Sequence, residues 1–165
     1  MYNLNIFDKN NMQITWCDIY YGIKNNLLDL KCVSDFAVRC LERNETNNQE
    51  IVELAWQSED KDYLLKKISN IIKQSDEFSI NQSELKWQYC IVKNLKIKQM
   101  EFDDLSNKLD ELYASFNYPE DMEEFISYMP IKDNYDPTIH TREENMERIF
   151  KKIDEFLNKK LREIG

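Results

Sequence analysis

Glycine and proline are scarce in this chain, which has two glycines and three prolines among its 165 residues. A sheet protein of this length needs many tight turns, and such turns are built largely from glycine, proline and Asn-Gly pairs. The two glycines, Gly22 and Gly165, also leave no glycine-rich loop of the kind that cradles phosphate groups. The composition therefore disfavours a sheet protein and excludes the common nucleotide-binding loops.

Histidine and closely spaced cysteines are also lacking. His140 is the only histidine, which excludes a site that needs two, and no two cysteines have Cys-x-x-Cys spacing. The four cysteines fall on apolar helix faces, a pattern that predicts buried, reduced thiols rather than a zinc or redox site. We therefore expect no metal and no cofactor.

Long hydrophobic runs are absent from the sequence. The N-terminal residues lack the basic start and apolar run of a secretory signal, and no run approaches the roughly 18 apolar residues that span a membrane. Together with reduced cysteines, these features predict a cytoplasmic protein without a membrane segment.

Hydrophobic residues recur with helical spacing along most of the chain, most clearly in the last 25 residues. Thr141 and Glu144 are spaced as a capping box, in which each side chain accepts a hydrogen bond from a free backbone N–H at the start of a helix. The apolar side chains that follow repeat at the intervals of one helix face over five turns, and we expect Ile149, Phe150, Ile153 and Phe156 to point inward. The pattern predicts a long C-terminal helix.

The same spacing predicts seven further helices upstream. They centre on residues 15–27, 29–41, 48–55, 64–72, 82–98 and 105–116, and the seventh begins at Pro119, since proline is well suited to a first helical turn. Residues 4–7 and 12–14 are the only segments that suggest short strands. The sequence therefore predicts an all-α fold, an irregular bundle of about eight helices in a single domain over residues 1–165. A split near residues 75–83 is the only candidate domain boundary.

Negative charge is concentrated in one stretch of the sequence. The chain carries a net charge of −9, and residues 101–147 hold 14 acidic but only three basic side chains. Such a stretch repels nucleic acid, whose phosphates require lysine and arginine. It favours association with a basic protein partner, because complementary charge accelerates encounter. The alternative is a solvated surface that only keeps the protein soluble.

Aromatic and acidic residues alternate within this stretch, between Tyr118 and Asp136. Tyrosines offer rigid apolar area with a polar tip and dominate many protein interfaces. The sequence predicts a partner-binding site with two tyrosine anchors and a rim of carboxylates: Tyr128, Tyr135, Asp121, Glu124, Asp133 and Asp136. The alternative is that Phe125, Met129 and at least one of the tyrosines belong to the core.

Enzymatic function has weak support. Asp133 and Asp136 could hold a divalent cation, but they lack the spacing and the glycine of a calcium-binding loop. His140 could pair with Cys17 or Cys90, yet no flanking motif marks either cysteine as an activated nucleophile. Protein binding is therefore favoured. A small enzyme with a site of scattered carboxylates, and a helical adaptor or scaffold, remain as alternatives.

Four segments carry a resemblance that runs over nearly the whole chain in the same order: residues 14–22, 53–56, 86–89 and 118–130. In these segments the chain resembles a bacterial family of small acidic proteins of unknown function, some of whose members resemble immunity proteins that neutralise a secreted toxin of the same cell. The resemblance implies action by binding rather than by turnover, and no catalytic residues come with it. We therefore expect a monomer that blocks a basic toxin domain.

Overall fold

The computed structural model describes residues 1–43, 47–75 and 79–165, and this part of the chain is built from helices. An isolated bridge between Tyr2 and Leu28 is its only strand-like pairing. The helices are α1 (Asn5–Asp8), α2 (Trp16–Lys24), α3 (Lys31–Glu42), α4 (Gln49–Leu54), α5 (Lys61–Gln74), α6 (Ile80–Ile97), α7 (Phe102–Ser115) and α8 (Arg142–Ile164), with 3-10 helices at Glu120–Phe125 and Pro137–Ile139. The predictions of an all-α fold and of a long C-terminal helix are confirmed.

The chain divides into two compact units, unit 1 (Met1–Trp87) and unit 2 (Gln88–Gly165). The boundary falls within α6, beyond the candidate split near residues 75–83. Residues 76–78 of that candidate segment lie outside the described residues. The single domain over residues 1–165 stays a prediction.

The core of unit 1 forms around Trp87, a fully buried side chain. In this unit α2 packs against α5, and α4 packs against both α3 and α5. The Trp87 ring stands edge-on to Phe7 with centroids 4.8 Å apart, and its Nε1–H donates to the Asp18 carbonyl oxygen over 2.9 Å. A Cβ on Gly22 would lie 2.5 Å from Trp87 Cζ2. Gly22 is therefore needed for the close approach of α2 to this ring.

Asp18 joins the start of α2 to α6. Thr15 and Asp18 form a capping box, and the Asp18 carboxylate is fully buried. Its Oδ2 accepts from Thr15 N–H at 2.8 Å and from Lys86 Nζ at 2.9 Å. A buried carboxylate is stable only when it is paired and hydrogen-bonded, so Lys86 fixes this end of α2.

Unit 2 is organised by α8, which packs against the first 3-10 helix. Phe156 on α8 meets Phe125 edge-on, with ring centroids 5.3 Å apart, and both side chains are buried. The predicted capping box of Thr141 and Glu144 is present at the N-terminus of α8. Ile153 is fully buried, whereas Phe150 is half-buried. The inward face predicted for this helix is thus confirmed at its centre, and its side chains are less fully buried toward the N-terminus.

Two local features differ from what the sequence suggested. Residues 4–7 form part of a helical turn rather than a strand, and the adjacent Ile6 and Phe7 are both buried, which an alternating strand would not allow. The segment after Pro119 is a 3-10 helix rather than an α-helix. It is only six residues long and carries four carboxylates, and short, like-charged segments gain little from α-helical pairing.

Candidate protein-binding surface

The structure places the six predicted site residues in three groups. Asp121 and Glu124 lie on the first 3-10 helix, against the lysines of α8. Asp121 Oδ2 is 2.8 Å from Lys160 Nζ and 3.3 Å from Lys159 Nζ, and Glu124 Oε1 is 3.4 Å from Lys152 Nζ. Lysines of α8 therefore neutralise both carboxylates.

Asp121 has a structural role beside Lys160. Partial burial would raise the pKa of Asp121, but the hydrogen bonds and charges of Lys160 and Lys159 outweigh it, and the pKa lies below its usual value. The Lys160 side chain is itself buried, with its Nζ 5.1 Å from the centroid of the Phe156 ring. Removing Asp121 would leave a buried cation poorly compensated, which is strongly destabilising.

The second group lies in a segment that we call the strap, residues 131–141. The Asp133 carboxylate accepts two hydrogen bonds from Arg148 Nη2, at 2.7 and 2.8 Å. The Arg148 bonds, followed by the Tyr135 backbone N–H, hold the pKa of Asp133 below its usual value. Asp136 accepts from the Thr138 backbone N–H and hydroxyl, which likewise lower its pKa. Both carboxylates of the strap are thus engaged within the chain.

Tyr135 anchors the strap to α8. Its ring lies 4.3 Å from the Arg148 guanidinium carbon and stacks on the His140 ring, with centroids 4.5 Å apart and planes 6° from parallel. Its hydroxyl donates to Asn145 Oδ1 over 2.6 Å. Because ring and hydroxyl both have partners within the chain, Tyr135 offers little free surface to a partner protein.

Tyr128 is in the third group and is 58% exposed. Its ring lies 6.2 Å from the buried ring of Tyr113, and Tyr118, also 58% exposed, stands edge-on to the same ring at 5.2 Å. We call Tyr113, Tyr118 and Tyr128 the tyrosine face. Two exposed rings that rest on a buried third ring form a surface with little side-chain freedom left to lose on binding.

The backbone fixes Tyr118 in an unusual conformation. Asn117 and Tyr118 both have φ of 59°, in the left-handed region, and the Tyr118 N–H donates to the Tyr113 carbonyl oxygen over 2.9 Å. Asparagine adopts this region readily, but a bulky residue there is an outlier that costs about 1–2 kcal/mol. Strained residues of this kind cluster at functional sites. Tyr118 is not among the six site residues predicted from the sequence, although an asparagine and a tyrosine between a helix end and Pro119 were a usable signal.

Carboxylates lie beside the tyrosine face. Asp110 accepts from the Ser127 backbone N–H at 3.0 Å and also from the Ser127 hydroxyl, and it forms no ion pair in the described part of the chain. Burial, and then the charge of Asp110, raise the pKa of Tyr128. Burial, and then the charge of Glu123, raise the pKa of Tyr113, whose hydroxyl donates to Glu123 Oε1 over 3.4 Å. Asp110 and Glu123 therefore place two carboxylates beside the tyrosine face.

Helix α7, which contains Tyr113, also carries negative charge on its outer surface. Together with the preceding residue, Glu101, it holds five acidic side chains and a single basic one, Lys108. Among residues that the structure describes, only Asp103 of these five forms an ion pair, at 3.4 Å from Arg142, with both side chains largely exposed. In contrast to the first 3-10 helix, the outer surface of α7 keeps its charge.

The catalytic alternatives were a carboxylate metal site and a pairing of His140 with a cysteine. Within residues 1–43, 47–75 and 79–165, no group of three or more histidine, cysteine, aspartate or glutamate side chains is placed to hold a metal ion. His140 contacts Glu144 at 3.1 Å and Tyr135, and the four cysteines are buried and form no disulfide. None of the helices in this described part has the length and apolar character needed to cross a membrane.

Comparison with known families adds an independent finding. Residues 4–161 match the model of a family described as an uncharacterized protein conserved in bacteria, DUF2247. Comparisons with curated proteins and with solved structures return no significant match. The family match confirms the expectation of a bacterial family of unknown function. Since it covers nearly the whole chain, this protein belongs to that uncharacterized bacterial family.

Proposed function

We propose that this protein acts by binding a basic protein partner through unit 2, and that the contact surface consists of the tyrosine face and the outer side of α7. The observation that carries the proposal is the pair of exposed rings, Tyr118 and Tyr128, held against buried Tyr113 beside Asp110, a carboxylate that has no ion pair among the described residues. Rigid aromatic anchors and complementary charge are the features that give protein interfaces their affinity and their association rate.

The finer proposal is that the partner is a toxin domain and that binding neutralises it. Its support is the resemblance of the four sequence segments to a bacterial family of which some members resemble immunity proteins, together with the net charge of −9, which suits a basic target. Such a protein needs no catalytic residues and no cofactor, and it acts as a cytoplasmic monomer. The acidic surface of α7 disfavours nucleic acid as the partner.

The proposal moves the contact surface away from part of the predicted site. Asp121, Glu124 and Asp133 neutralise lysine and arginine side chains of α8, and the Tyr135 ring packs against Arg148 and His140. Tyr128 alone of the six predicted residues lies in the surface proposed here. Tyr118 and Asp110 complete it.

The experiment is co-expression of this protein with the product of the adjacent gene, scored as cell survival and followed by binding kinetics. Tyr128→Ala should weaken the complex by roughly 30-fold or more, mainly through faster dissociation, because central aromatic anchors are worth about 2 kcal/mol or more. Tyr63→Ala is the matched control, since Tyr63 is an exposed tyrosine of unit 1.

Equal affinities of Tyr128→Ala and the parent would refute the proposed surface. Binding without any protection of the cell would refute neutralisation and favour an adaptor role. A parent protein that neither binds the adjacent product nor protects against it would contradict the immunity function.

A further inference from the structure

Unit 2 contains an apolar cleft of about 290 Å³ beside the tyrosine face. Its floor is the inner side of α7, and its walls come from the segment after the first 3-10 helix and from α8. Apolar side chains from all three parts line it: Phe102, Leu105, Leu109, Ile126, Met129 and Ile149. A lining of this kind predicts an apolar occupant.

The polar groups around the cleft are already satisfied by the chain. Tyr135 donates to Asn145, Arg148 binds Asp133, and Lys132 Nζ lies 2.7 Å from Glu123. A ligand that carried its own polar groups into the cleft would therefore find few free partners and would lose hydrogen bonds to water. This argues for a hydrocarbon or aromatic group rather than a polar metabolite.

The volume of the cleft limits the size of the group that can fill it. Its volume is about twice that of the engineered apolar cavity, of roughly 150 Å³, that binds benzene. It lies at the small end of the range of roughly 300–1,000 Å³ found for drug-sized ligands. One bicyclic aromatic group, such as the indole of a tryptophan side chain, matches this volume.

The cleft is continuous with the proposed contact surface. Ser127 lines the cleft and donates two hydrogen bonds to Asp110, while Met129 lines the cleft and its Sδ lies 4.0 Å from the Tyr113 hydroxyl. The floor and the negative surface also belong to one helix, since α7 turns Leu105 and Leu109 inward and its acidic side chains outward. A group seated in the cleft would therefore lie next to the hydrogen bonds of Ser127 to Asp110, at the edge of this negative surface.

We infer that the cleft receives an aromatic side chain of the partner protein and that basic residues flanking this side chain contact the carboxylates of α7. This inference rests on the proposed function and names the chemistry of the segment that the partner presents. We infer a protein segment rather than a neutral hydrocarbon ligand, because such a ligand would have no charge with which to contact the carboxylates outside the cleft.

The test uses three short peptides with blocked ends: Arg-Trp-Arg, Arg-Ala-Arg and Glu-Trp-Glu. Each is titrated into the full chain at low salt while the methyl NMR signals of Leu105, Leu109 and Ile149 are followed. Arg-Trp-Arg should shift these signals in a saturable way. Each of the other two peptides should bind at least about tenfold more weakly, since Arg-Ala-Arg lacks the aromatic side chain and Glu-Trp-Glu lacks the basic ones.

Two variants link the cleft to the partner. Ser106→Phe places a large side chain in the cleft from a half-buried position on α7 and should abolish the shifts caused by Arg-Trp-Arg. Asn158→Phe is the matched control, because Asn158 is exposed on α8, outside the proposed contact surface, and does not line the cleft. If Ser106→Phe fails to fold, Ile131→Trp fills the cleft from an exposed position on its wall.

The outcomes separate this inference from the proposed function. Weaker partner binding by Ser106→Phe, but not by Asn158→Phe, supports the inference. Unchanged binding by Ser106→Phe together with a loss by Tyr128→Ala overturns the cleft inference alone, and no change in either variant overturns both. Equal shifts with Arg-Trp-Arg and Arg-Ala-Arg overturn the cleft inference. A dimer of the parent that Ser106→Phe dissociates also overturns it, because the occupant would then be a second copy of the chain.

Discussion

Replacing Gly22 by alanine is the sharpest test of the packing in unit 1. The added Cβ would lie 2.5 Å from Trp87 Cζ2 and 2.9 Å from Leu28 Cβ, and both distances are shorter than real Cβ contacts allow. The Trp87 ring has little room to yield, since it is fully buried, packed edge-on by Phe7 and held by its hydrogen bond to the Asp18 carbonyl. One of the packed elements must therefore move.

The expected change in the free energy of unfolding follows from two opposing effects. Overpacking a well-filled core costs about 1–3 kcal/mol and sometimes more. Alanine in place of glycine within a helix such as α2 returns about 1 kcal/mol. Because the contact is with a rigid ring, we expect the steric cost to win and the net loss in the free energy of unfolding to be about 2 kcal/mol. A relief variant should recover part of it: Gly22→Ala combined with Trp87→Phe should lose less than the sum of the two single changes.

Urea unfolding followed by tryptophan fluorescence measures this loss selectively. All three tryptophans, Trp16, Trp56 and Trp87, lie in unit 1, so the signal reports on that unit. With a slope of about 1–3 kcal/mol per molar urea, the midpoint should fall by roughly 1 M. Lys24→Ala, at an exposed position of the same helix, should leave it nearly unchanged. A Gly22→Ala variant as stable as the parent would refute the close approach of α2 to Trp87.

Three further predictions concern unit 2. Phe156→Ala should cost about 3–5 kcal/mol in urea unfolding followed by circular dichroism, because the ring is buried, whereas Leu161→Ala, at an exposed position of α8, should cost little; equal effects would refute the inward face of that helix. The pKa of Asp133 is depressed by Arg148, so its contribution to stability is present at neutral pH and is lost as the pH falls below its usual pKa. The melting temperature of Asp133→Asn should therefore lie below that of the parent at pH 7 and approach it near pH 2, and a pH-independent difference would contradict the ion pair. Finally, Tyr118→Gly should be more stable than Tyr118→Ala by about 1 kcal/mol in chemical denaturation, since only glycine adopts a φ of 59° without strain; the reverse order would refute the left-handed conformation.

The parts of the fold that follow from local chemistry could be predicted from the sequence. The capping boxes at Thr15 and Thr141 each involve residues three apart, and the face of α8 around Ile153 follows from spacing alone. The 3-10 helix after Pro119 could not be predicted in the same way. Its apolar residues suit either type of helix, and its length and crowded carboxylates decide between them.

The candidate site depends on contacts between residues far apart in sequence. Asp121 meets Lys160 across 39 positions, and Asp133 meets Arg148 across 15, so the acidic stretch looked free of counter-ions in the sequence. Tyr128 and Tyr135 were equivalent as exposed anchors in the sequence. Only the packing of the strap on α8 separates them, since it covers Tyr135 and leaves Tyr128 exposed.

The association rate of the partner with charge-reversed variants tests the central proposal most directly. Asp104→Lys combined with Glu111→Lys reverses two exposed charges on α7, and Asp35→Lys combined with Glu59→Lys makes the same change in net charge in unit 1. At about 0.01 M salt, where the screening length is about 30 Å, the α7 variant should associate roughly tenfold more slowly than the parent, and the gap should narrow near 0.15 M, where that length is about 8 Å. The unit 1 variant should stay close to the parent. Equal slowing by both variants, or no slowing by the α7 variant, would contradict the binding of a basic partner at this surface.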